Sequence, residues 1–492
     1  MKIRKYTYIT SLIGVAILLN SCAVNPVTGK KQVVFMSEAQ EIAMGKEADP
    51  QVIAQYGLYD NKDLQNYITQ EGKKMAAVSH RPNLAYEFKI VDSDVLNAFA
   101  TPGGYVYFTR GIMANFNNEA QFAGVLGHEL GHITARHIVV QQRNQLLGQF
   151  GLIAGMVLAP NLGQFANQAS QGLQLLFLKF SRDNESQADQ LGAEYSSKIG
   201  FDAEQMADFF TTLQRESESN GNAGLPDFLS THPNPVGRYT AVKKAALEWK
   251  QKLNLTDAQI NRNSYLKKIE GIVYGEDPRQ GFVENSIFYH PVLKFQFPIP
   301  SQWAYQNSPQ QFQMAPKDGK AMMLLTGAQG KTLQEAASGV LQQYNLQPLE
   351  TKEITVNSLN AVVMVADVKA DPNNQQQQQQ QQQQVVRTLS YVIQQGNQFY
   401  LLIGVTSSNL FNNYIPVFTN AMQNFKTLTD VAKINKKPQR IRLKTVTKTQ
   451  TLEQVLKSYK FEDRKLNQLA ILNGLKLSDK IAPGTMIKVI GE

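Results

Sequence analysis

The chain has 492 residues, enough for about three domains of ordinary size. Its 42% hydrophobic and 18% charged residues are typical of globular proteins, and exclude a wholly disordered chain, a coiled-coil rod and a multi-span membrane protein. The net charge of +9 is uneven, because residues 1–21 carry +3, residues 431–492 carry +9 and the part between carries −3. Basic charge confined to the two ends gives no reason to predict binding to nucleic acid.

The amino terminus has the pattern of a bacterial secretory signal. Three cations precede an apolar run over residues 12–19, which is too short to span a bilayer and is followed by Asn-Ser before Cys22. Leu-Asn-Ser-Cys resembles a lipoprotein lipobox, which implies that residues 1–21 are a signal peptide and that Cys22 carries lipid. An ordinary signal peptide with an incidental cysteine is the alternative. The resemblance implies an envelope lipoprotein facing the periplasm, and Ala23 favours the outer membrane.

Helices and one hairpin are predicted up to residue 280. Apolar periodicity, caps and turn residues predict the following elements: helices within 37–78, a strand at 86–91, a hairpin of 96–100 with 104–109, a helix over 117–143, a helix over 183–198 and a further helix capped by Asp202. Since strands are few, residues 22–280 are predicted to form a mainly helical domain with a small sheet. The only cysteine, Cys22, excludes an intramolecular disulfide.

The pattern changes to short alternating strands past residue 280. Strands such as 293–297 and 399–405 alternate with helical stretches, so residues 281–430 are predicted to form an α+β domain. Within it, residues 375–384 are ten consecutive glutamines. Such a tract buries no apolar surface, and we interpret it as the product of replication slippage in a tolerant loop.

The last segment, 431–492, is predicted to be a basic linker followed by a small module. Residues 445–490 have the order strand, helix, helix, strand and resemble a LysM module, with Asn-Gly-Leu at 473–475 and Pro-Gly-x-x-Ile-x-Val at 483–489. The Gly-Asp-Thr of that module is replaced by Thr-Gln-Thr at 449–451. The resemblance implies binding to peptidoglycan. The predicted fold class is therefore a multidomain α+β protein.

The motif with the strongest chemical implication is His-Glu-Leu-Gly-His at residues 128–132. Helical residues four apart lie about 40° apart around the axis, so His128 and His132 share one face and can bind one metal ion. Glu129, about 100° from His128, can reach an attacking water as general base. The apolar neighbours argue against two histidines on a solvated face, so the motif predicts one zinc ion per chain.

A third metal ligand is not expected from the same helix. His137 lies about 140° from His132 around an uninterrupted helix, so we interpret it as a packing residue. The predicted helix 183–198 carries Glu185 and Asp189 one turn apart on one face. Spacing alone leaves two interpretations open: Glu185 binds the metal while Asp189 accepts from a ligand imidazole, or Glu185 is a solvated acid.

Four ordered motifs give the chain a specific resemblance over about residues 25–250. They are residues 97–107, 128–137, 182–189, and Thr-His-Pro-Asn-Pro at 231–235 with Arg238. The chain resembles the gluzincin zinc metallopeptidases of the HtpX, BepA and CAAX-prenyl-protease type, within their soluble, lipid-anchored branch. The resemblance implies zinc ligands His128, His132 and Glu185, with Glu129 as base and Asp189 hydrogen bonded behind the ligands.

The same resemblance assigns roles around the cleft. The strand beginning Asn97, Ala98 and Phe99 would pair with substrate backbone. His232 would approach the zinc as a fourth ligand in a latent state or stabilise the oxyanion, and a loop histidine without function is the alternative. Arg238 would either stabilise transition-state charge or pack on an acid.

These observations predict a lipid-anchored periplasmic zinc endopeptidase. The resemblance implies unfolded or misassembled envelope proteins as substrates, with the membrane, peptidoglycan or envelope assembly complexes as partners. One alternative is a chaperone or assembly factor whose zinc site is mostly latent. The other is a lipoprotein whose main function is binding to the cell wall.

Overall fold

The structure is a computed structural model that describes residues 22–33, 36–141, 180–219, 227–232, 237–369 and 385–492. The predicted signal peptide 1–21, the glutamine tract 375–384 and Pro233–Pro235 of the fourth motif lie outside the described residues. Among the described residues, no helix is long and apolar enough to cross a bilayer.

The first 270 residues contain most of the helices. In chain order the elements are β1 (Cys22–Val24), β2 (Lys31–Val33), α1 (Glu38–Tyr56), α2 (Lys62–Ala77), β3 (Glu87–Val91), β4 (Ala98–Thr101), β5 (Tyr105–Thr109), α3 (Arg110–Asn115), α4 (Glu119–Thr134), α5 (Arg182–Lys198), α6 (Glu204–Ser219), α7 (Asp227–Thr231), α8 (Arg238–Lys252) and α9 (Arg262–Ile269). The two predicted amino-terminal helices and the predicted hairpin of β4 and β5 are present.

Polar caps determine where the helices begin. Ser37 accepts from the backbone of Gln40 while the Gln40 side chain accepts from the Ser37 backbone, so a complete capping box starts α1. Asn118 accepts from the backbone of Gln121 at 2.8 Å and starts α4. These caps satisfy backbone N–H groups that have no partner within a helix.

The single helix predicted over residues 117–143 is wrong. Helix α4 ends at Thr134, and Arg136 takes the left-handed φ of +58° before residues 137–141 become helical again. Side-chain contacts hold this break, because Arg136 Nε donates to Glu41 at 3.0 Å and its Nη2 donates to the Met36 carbonyl at 3.0 Å. The break redirects the chain directly after the metal-binding motif.

A three-stranded sheet lies beside α4. Its order is β3-β5-β4, with β3 parallel and β4 antiparallel to β5, so β4 is an edge strand. Strand β4 packs against α4. The predicted substrate-pairing strand is therefore next to the helix that carries the His-Glu-x-x-His motif.

Residues 278–434 form a second region dominated by strands. Its elements are β6 (Phe282–Glu284), β7 (Ile287–His290), β8 (Phe295–Pro298), β9 (Ala304–Asn307), β10 (Gln311–Ala315), β11 (Ala321–Ala328), α10 (Leu333–Gln343), β12 (Leu346–Val356), β13 (Leu359–Val368), β14 (Val386–Gln395), β15 (Gln398–Ser407), α11 (Phe411–Gln423), β16 (Lys426–Thr427) and α12 (Val431–Ile434).

Two antiparallel sheets, the helices α10 and α11 and the short helix α12 make up the described part of this region. The larger sheet has the order β12-β13-β14-β15-β11-β10-β9, and the smaller has the order β16-β8-β7-β6. Alternate residues of β15 face opposite sides, with Leu402 in the cluster that contains Phe418 of α11 and Ile403 in the cluster that contains Ala336 of α10. Helices α10 and α11 therefore cover opposite faces of the larger sheet, and apolar side chains are buried on both faces.

The carboxy-terminal module packs on the first region. Its elements are β17 (Arg440–Thr445), β18 (Gln450–Thr451), α13 (Leu452–Ser458), α14 (Asp463–Leu472), β19 (Lys480–Ile481) and β20 (Met486–Gly491). Ile441 and Val489 belong to the same hydrophobic core as Phe116 and Tyr265. The fully buried Lys488 donates to the carbonyls of Ala114, Asn115 and Phe116 at 2.9, 3.2 and 2.9 Å. The module is thus fixed at the end of α3, directly before α4.

Candidate metal centre

Two closely packed helices place the predicted ligands. Helix α4 carries His128, Glu129 and His132, and α5 carries Glu185 and Asp189. Glycines allow the approach: a Cβ on the α4 glycine at 127 would lie 3.0 Å from the α5 backbone at 192. The close contact turns both sets of polar side chains toward one buried point.

The predicted ligands converge there, and His232 joins them. His128 Nε2 lies 3.1 Å from His132 Nε2, and the Glu185 oxygens lie 3.6 and 3.5 Å from these nitrogens. His232 Nδ1 is 3.0 Å from Glu185 Oε1 and 3.2 Å from His128 Nε2. One ligand atom from each of the four residues lies within 4.8 Å of all the others, and all four side chains are at most 1% exposed.

The protonation of this cluster fits a bound cation. His128 Nδ1 is 2.9 Å from Asp189 Oδ1, and a carboxylate can only accept, so the proton of His128 is on Nδ1 and the Nε2 lone pair points into the cluster. Within the described residues, Glu129 Oε1 and Glu185 Oε2 are buried without a hydrogen-bond partner. Two imidazoles and a carboxylate that direct lone pairs at one point suit a divalent ion such as zinc.

Arg238 holds the acids behind the ligands. Its Nε and Nη2 donate to the two oxygens of Asp189 at 2.7 and 2.6 Å, and its Nη1 lies 3.2 Å from Glu185 Oε2. Burial opposes the ionisation of Asp189, but Arg238 and His128 together outweigh it, and the pKa of that carboxyl is lowered. The guanidinium therefore keeps Asp189 charged and able to accept from His128.

Glu129 has the environment of a general base. Burial raises the pKa of its carboxyl, against the opposing effect of His232 and His128. Its Oε1 lies 3.6 Å from His232 Nε2. A carboxyl whose pKa is raised and which lies beside the predicted metal ligands is suited to accept a proton and return it.

Aromatic side chains on both sides cover the cluster. The Phe180 ring stacks on His132 with 3.9 Å between ring centroids, and the Phe228 ring stacks on His232 at 4.6 Å. The backbone of Phe180 donates to the Thr231 carbonyl at 3.3 Å. Helix α7, which carries Phe228 and leads directly into His232, thus lies over the metal ligands.

The predicted substrate strand lies under the same cover. The backbone of Phe228 donates to the Leu96 carbonyl at 3.0 Å, at the start of β4. Asn97 is 7% exposed, and its Oδ1 is buried without a hydrogen-bond partner within the described residues. Ala98 pairs with β5, and the Phe99 ring stacks on Tyr107 at 5.0 Å. The strand edge is therefore beside the ligands, and α7 contacts its beginning.

Sequence reasoning missed the role of His137. Its Nδ1 lies 3.0 Å from His132 Nδ1, and its Nε2 lies 2.9 Å from Gln187 Oε1. Burial lowers the pKa of His137 to about 4, so the ring is neutral at neutral pH. The interpretation as a packing residue assumed an uninterrupted helix, whereas the break at Arg136 returns the histidine to the ligand.

Comparison with known proteins found a family profile that matches the region around this cluster. Residues 62–246 match the sequence profile of Peptidase family M48. The chain is 30% identical over 233 residues to a beta-barrel assembly-enhancing protease of Yersinia pestis, covering 46% of this chain and 48% of that protein.

Similar proteins occur outside that species. A beta-barrel assembly-enhancing protease of Escherichia coli strain K12 is 28% identical, over 43% of this chain and 45% of its own length. The mitochondrial metalloendopeptidase OMA1 of Arabidopsis thaliana is 30% identical, over 38% of this chain and 37% of its own. The chain spans less than half the length of each of these relatives. Residues 62–246, which match the family profile, contain all four residues of the buried cluster.

Proposed function

Since residues 62–246 match the profile of Peptidase family M48, we propose that this chain is a zinc-dependent metalloendopeptidase. His128, His132 and Glu185 would hold one zinc ion. The observation that carries the proposal is the convergence of their lone pairs at a buried point, with Glu129 beside it. The names of the relatives, protease and metalloendopeptidase, support the same reaction class.

The mechanism follows from what each side chain can do. When bound, zinc supplies a Lewis acid that polarises the scissile carbonyl and acidifies the attacking water. Glu129 takes the proton of that water and delivers it to the leaving amine as the peptide bond breaks. Asp189, kept ionised by Arg238, orients His128. If His232 moves from its position against Glu185, it can donate a hydrogen bond to the developing oxyanion.

The proposed substrates are unfolded or misassembled envelope proteins. Two of the relatives are named beta-barrel assembly-enhancing proteases, which supports this class. The edge strand β4 supports it physically, because main-chain pairing to an edge strand accepts any extended segment regardless of its sequence. Asn97, with its unpaired buried oxygen at the start of that edge, would accept a substrate N–H.

We propose lipid attachment at Cys22 and a location facing the periplasm, at the outer membrane. Asn25, three residues further, is buried, and its Nδ2 donates to the carbonyl of Ala135 at 3.1 Å. Three extended residues span at most about 10 Å, so a lipid on Cys22 would keep the His132 end of α4 close to the membrane surface. Such an orientation favours substrates at that surface.

A mostly latent zinc protein that acts as a chaperone or assembly factor is the second candidate. His232 lies within 3.2 Å of His128 and would occupy a zinc coordination position that substrate needs. The covering contacts of Phe228 and Phe180 support this alternative. Peptidoglycan binding by the LysM-like module is a third proposal, supported by the order of two strands, two helices and two strands over residues 440–491.

Cleavage of unfolded casein by the protein without residues 1–22, combined with metal analysis, tests the central proposal. We expect about one zinc per chain, and a loss of cleavage of at least about 100-fold in Glu129→Gln with the zinc retained. Absence of bound zinc would refute the metal site. Zinc in two inert proteins would favour the latent alternative, and His232→Ala should then release activity.

Membrane fractionation of the full chain tests the anchoring. Cys22→Ala should move the protein from the membrane to the soluble fraction, because the acyl chains supply the membrane affinity. Unchanged partition would refute lipid attachment. Retention of residues 436–492 on purified peptidoglycan above a basic control protein would support glycan binding, and no such excess would refute it.

A further inference from the structure

The two ligand histidines differ in what lies behind them. The outer nitrogen of each ring is Nδ1, which points away from the metal position. Nδ1 of His128 faces the charged carboxylate of Asp189, whereas Nδ1 of His132 faces the imidazole of His137. We propose that His137 is a positioning residue that fixes the tautomer and the ring orientation of His132. Gln187 completes the arrangement by fixing the tautomer of His137.

The hydrogen bonds from His132 through His137 to Gln187 are called the relay. The position of each proton in the relay follows from the groups at its two ends. His132 Nε2 faces the cluster and must offer a lone pair there, so its proton is on Nδ1. That N–H donates to His137 Nδ1 across 3.0 Å, which places the His137 proton on Nε2. This second N–H donates to Gln187 Oε1 across 2.9 Å. Each imidazole has one donor and one acceptor, and both are used.

The helix break makes the relay possible. In an uninterrupted helix His137 would lie about 140° away from His132. The left-handed Arg136 turns the chain back, and its contacts with Glu41 and the Met36 carbonyl hold that turn. His137 is 3% exposed, so water is excluded from the contact with His132. The position is therefore specified by the fold around it.

Gln187 connects the relay to the third ligand. It lies two residues after Glu185 on α5, so the histidines of α4 and the glutamate of α5 are tied together behind the metal point. A ligand imidazole with no partner on its outer nitrogen can rotate and can take the wrong tautomer. Loss of such an outer partner typically weakens metal binding about 10–100-fold.

Zinc affinity measured by chelator competition tests the inference. His137→Leu should weaken zinc binding about 10–100-fold, whereas His137→Asn, whose Oδ1 can take the place of the Nδ1 acceptor, should recover most of the loss. The matched control is His80→Leu, because His80 Nδ1 contacts the hydroxyl of Tyr195, which is not a metal ligand, at 2.7 Å. The control should retain the zinc affinity of the unmodified chain.

A spectroscopic measurement separates positioning from general stability. In the cobalt-substituted protein, His137→Leu should change the visible ligand-field bands and His80→Leu should not. Equal zinc affinity and equal bands in His137→Leu and the unmodified chain would overturn the inference. If His137→Leu does not fold, Gln187→Leu provides the test. The inference predicts that this variant loses about 10-fold in zinc affinity, and an unchanged affinity would contradict it.

The inference rests on the proposed metal site and is independent of peptidase activity. If the unmodified chain binds no zinc, the proposed function fails at its first step. If it binds zinc and His137→Leu binds equally well, only the role of His137 is refuted. The two failures are therefore distinguishable in one titration.

Discussion

The region at residues 22–277, called the peptidase region after the family profile that it matches, and the strand-rich region at residues 278–434 differ in what they bury. Among the described residues of the strand-rich region, the buried polar side chains are the hydroxyls of Thr388, Ser390 and Thr406. The peptidase region buries ionisable groups of both signs, among them the following: Glu41, Arg81, Arg110, His128, Glu129, His132, Glu185, Asp189, His232 and Arg238.

This difference locates the chemistry. Burial of an ion costs several kcal/mol unless a partner compensates, so a region selected for stability alone has little use for buried charge. The strand-rich region has the uncharged core of a scaffold. The peptidase region bears this cost at the predicted metal ligands, at their hydrogen-bond partners and at the proposed general base. Buried ionisable groups with shifted pKa values are typical of functional sites.

Among the substitutions that test this comparison, removal of the Arg238 side chain should cause the largest loss of unfolding free energy. Arg238→Ala leaves Asp189 and Glu185 buried without their counter-charge, so we expect the zinc-free protein to lose about 3–5 kcal/mol of unfolding free energy. The control in the strand-rich region is Arg387→Ala, whose ion pair with Asp367 is partly exposed and should contribute at most about 1 kcal/mol. Urea unfolding of both variants measures the difference.

Equal losses in the two variants would contradict the comparison. They would mean that the buried pair at Arg238 is no more important for folding than a pair near the surface. Addition of zinc before unfolding provides a second measurement, because a ligand that binds only the folded state raises stability by mass action. Arg238→Ala should lose part of that increment, and Arg387→Ala should retain it.

The carboxy-terminal module resembles the peptidase region because it also buries an ionisable side chain, that of Lys488. Lys488→Met removes three hydrogen bonds to carbonyls at the end of α3, and we expect a loss of about 2 kcal/mol, since the unpaired carbonyls cost more than the buried ammonium returns. Urea unfolding measures it, with the exposed Lys480→Met as control. An unchanged midpoint in Lys488→Met would show that the module does not depend on this contact.

Local patterns explain which parts of the site could be predicted from the sequence. The spacing of His128 and His132 depends only on helix geometry, and their Nε2 atoms lie 3.1 Å apart. The cap at Asn118 and the hairpin of β4 and β5 are equally local. Such features are encoded within a few residues.

The remaining features depend on contacts between distant residues. The break at Arg136 is held by Glu41, about 95 residues earlier in the chain, so no local signal predicted that His137 would return to His132. The contact of Lys488 with α3 joins residues more than 370 positions apart. A basic module read in isolation gives no indication that one of its lysines is buried against another region.

The smallest expected effect concerns Glu129 itself. Burial raises its pKa in the folded protein above the usual value of 4.5, so the folded state binds a proton more tightly than the unfolded state does. The stabilisation from that proton is complete below about pH 4.5 and is lost as the pH rises through the folded-state pKa. Without zinc, Glu129→Gln should therefore be more stable than the unmodified chain at pH 7.5.

The pH dependence separates this cost from a simple change in packing. The advantage of Glu129→Gln in urea unfolding should shrink toward zero as the pH falls to about 4.5, where the unmodified carboxyl is protonated as well. The exposed Glu350→Gln in the strand-rich region should show no advantage at either pH. If the stability advantage of Glu129→Gln does not change with pH, it comes from a change in packing and not from removal of the buried charge. An advantage that shrinks as the pH falls would show that the charge of the proposed general base lowers the stability of the fold. The described part of the strand-rich region, with its uncharged core, has no such cost.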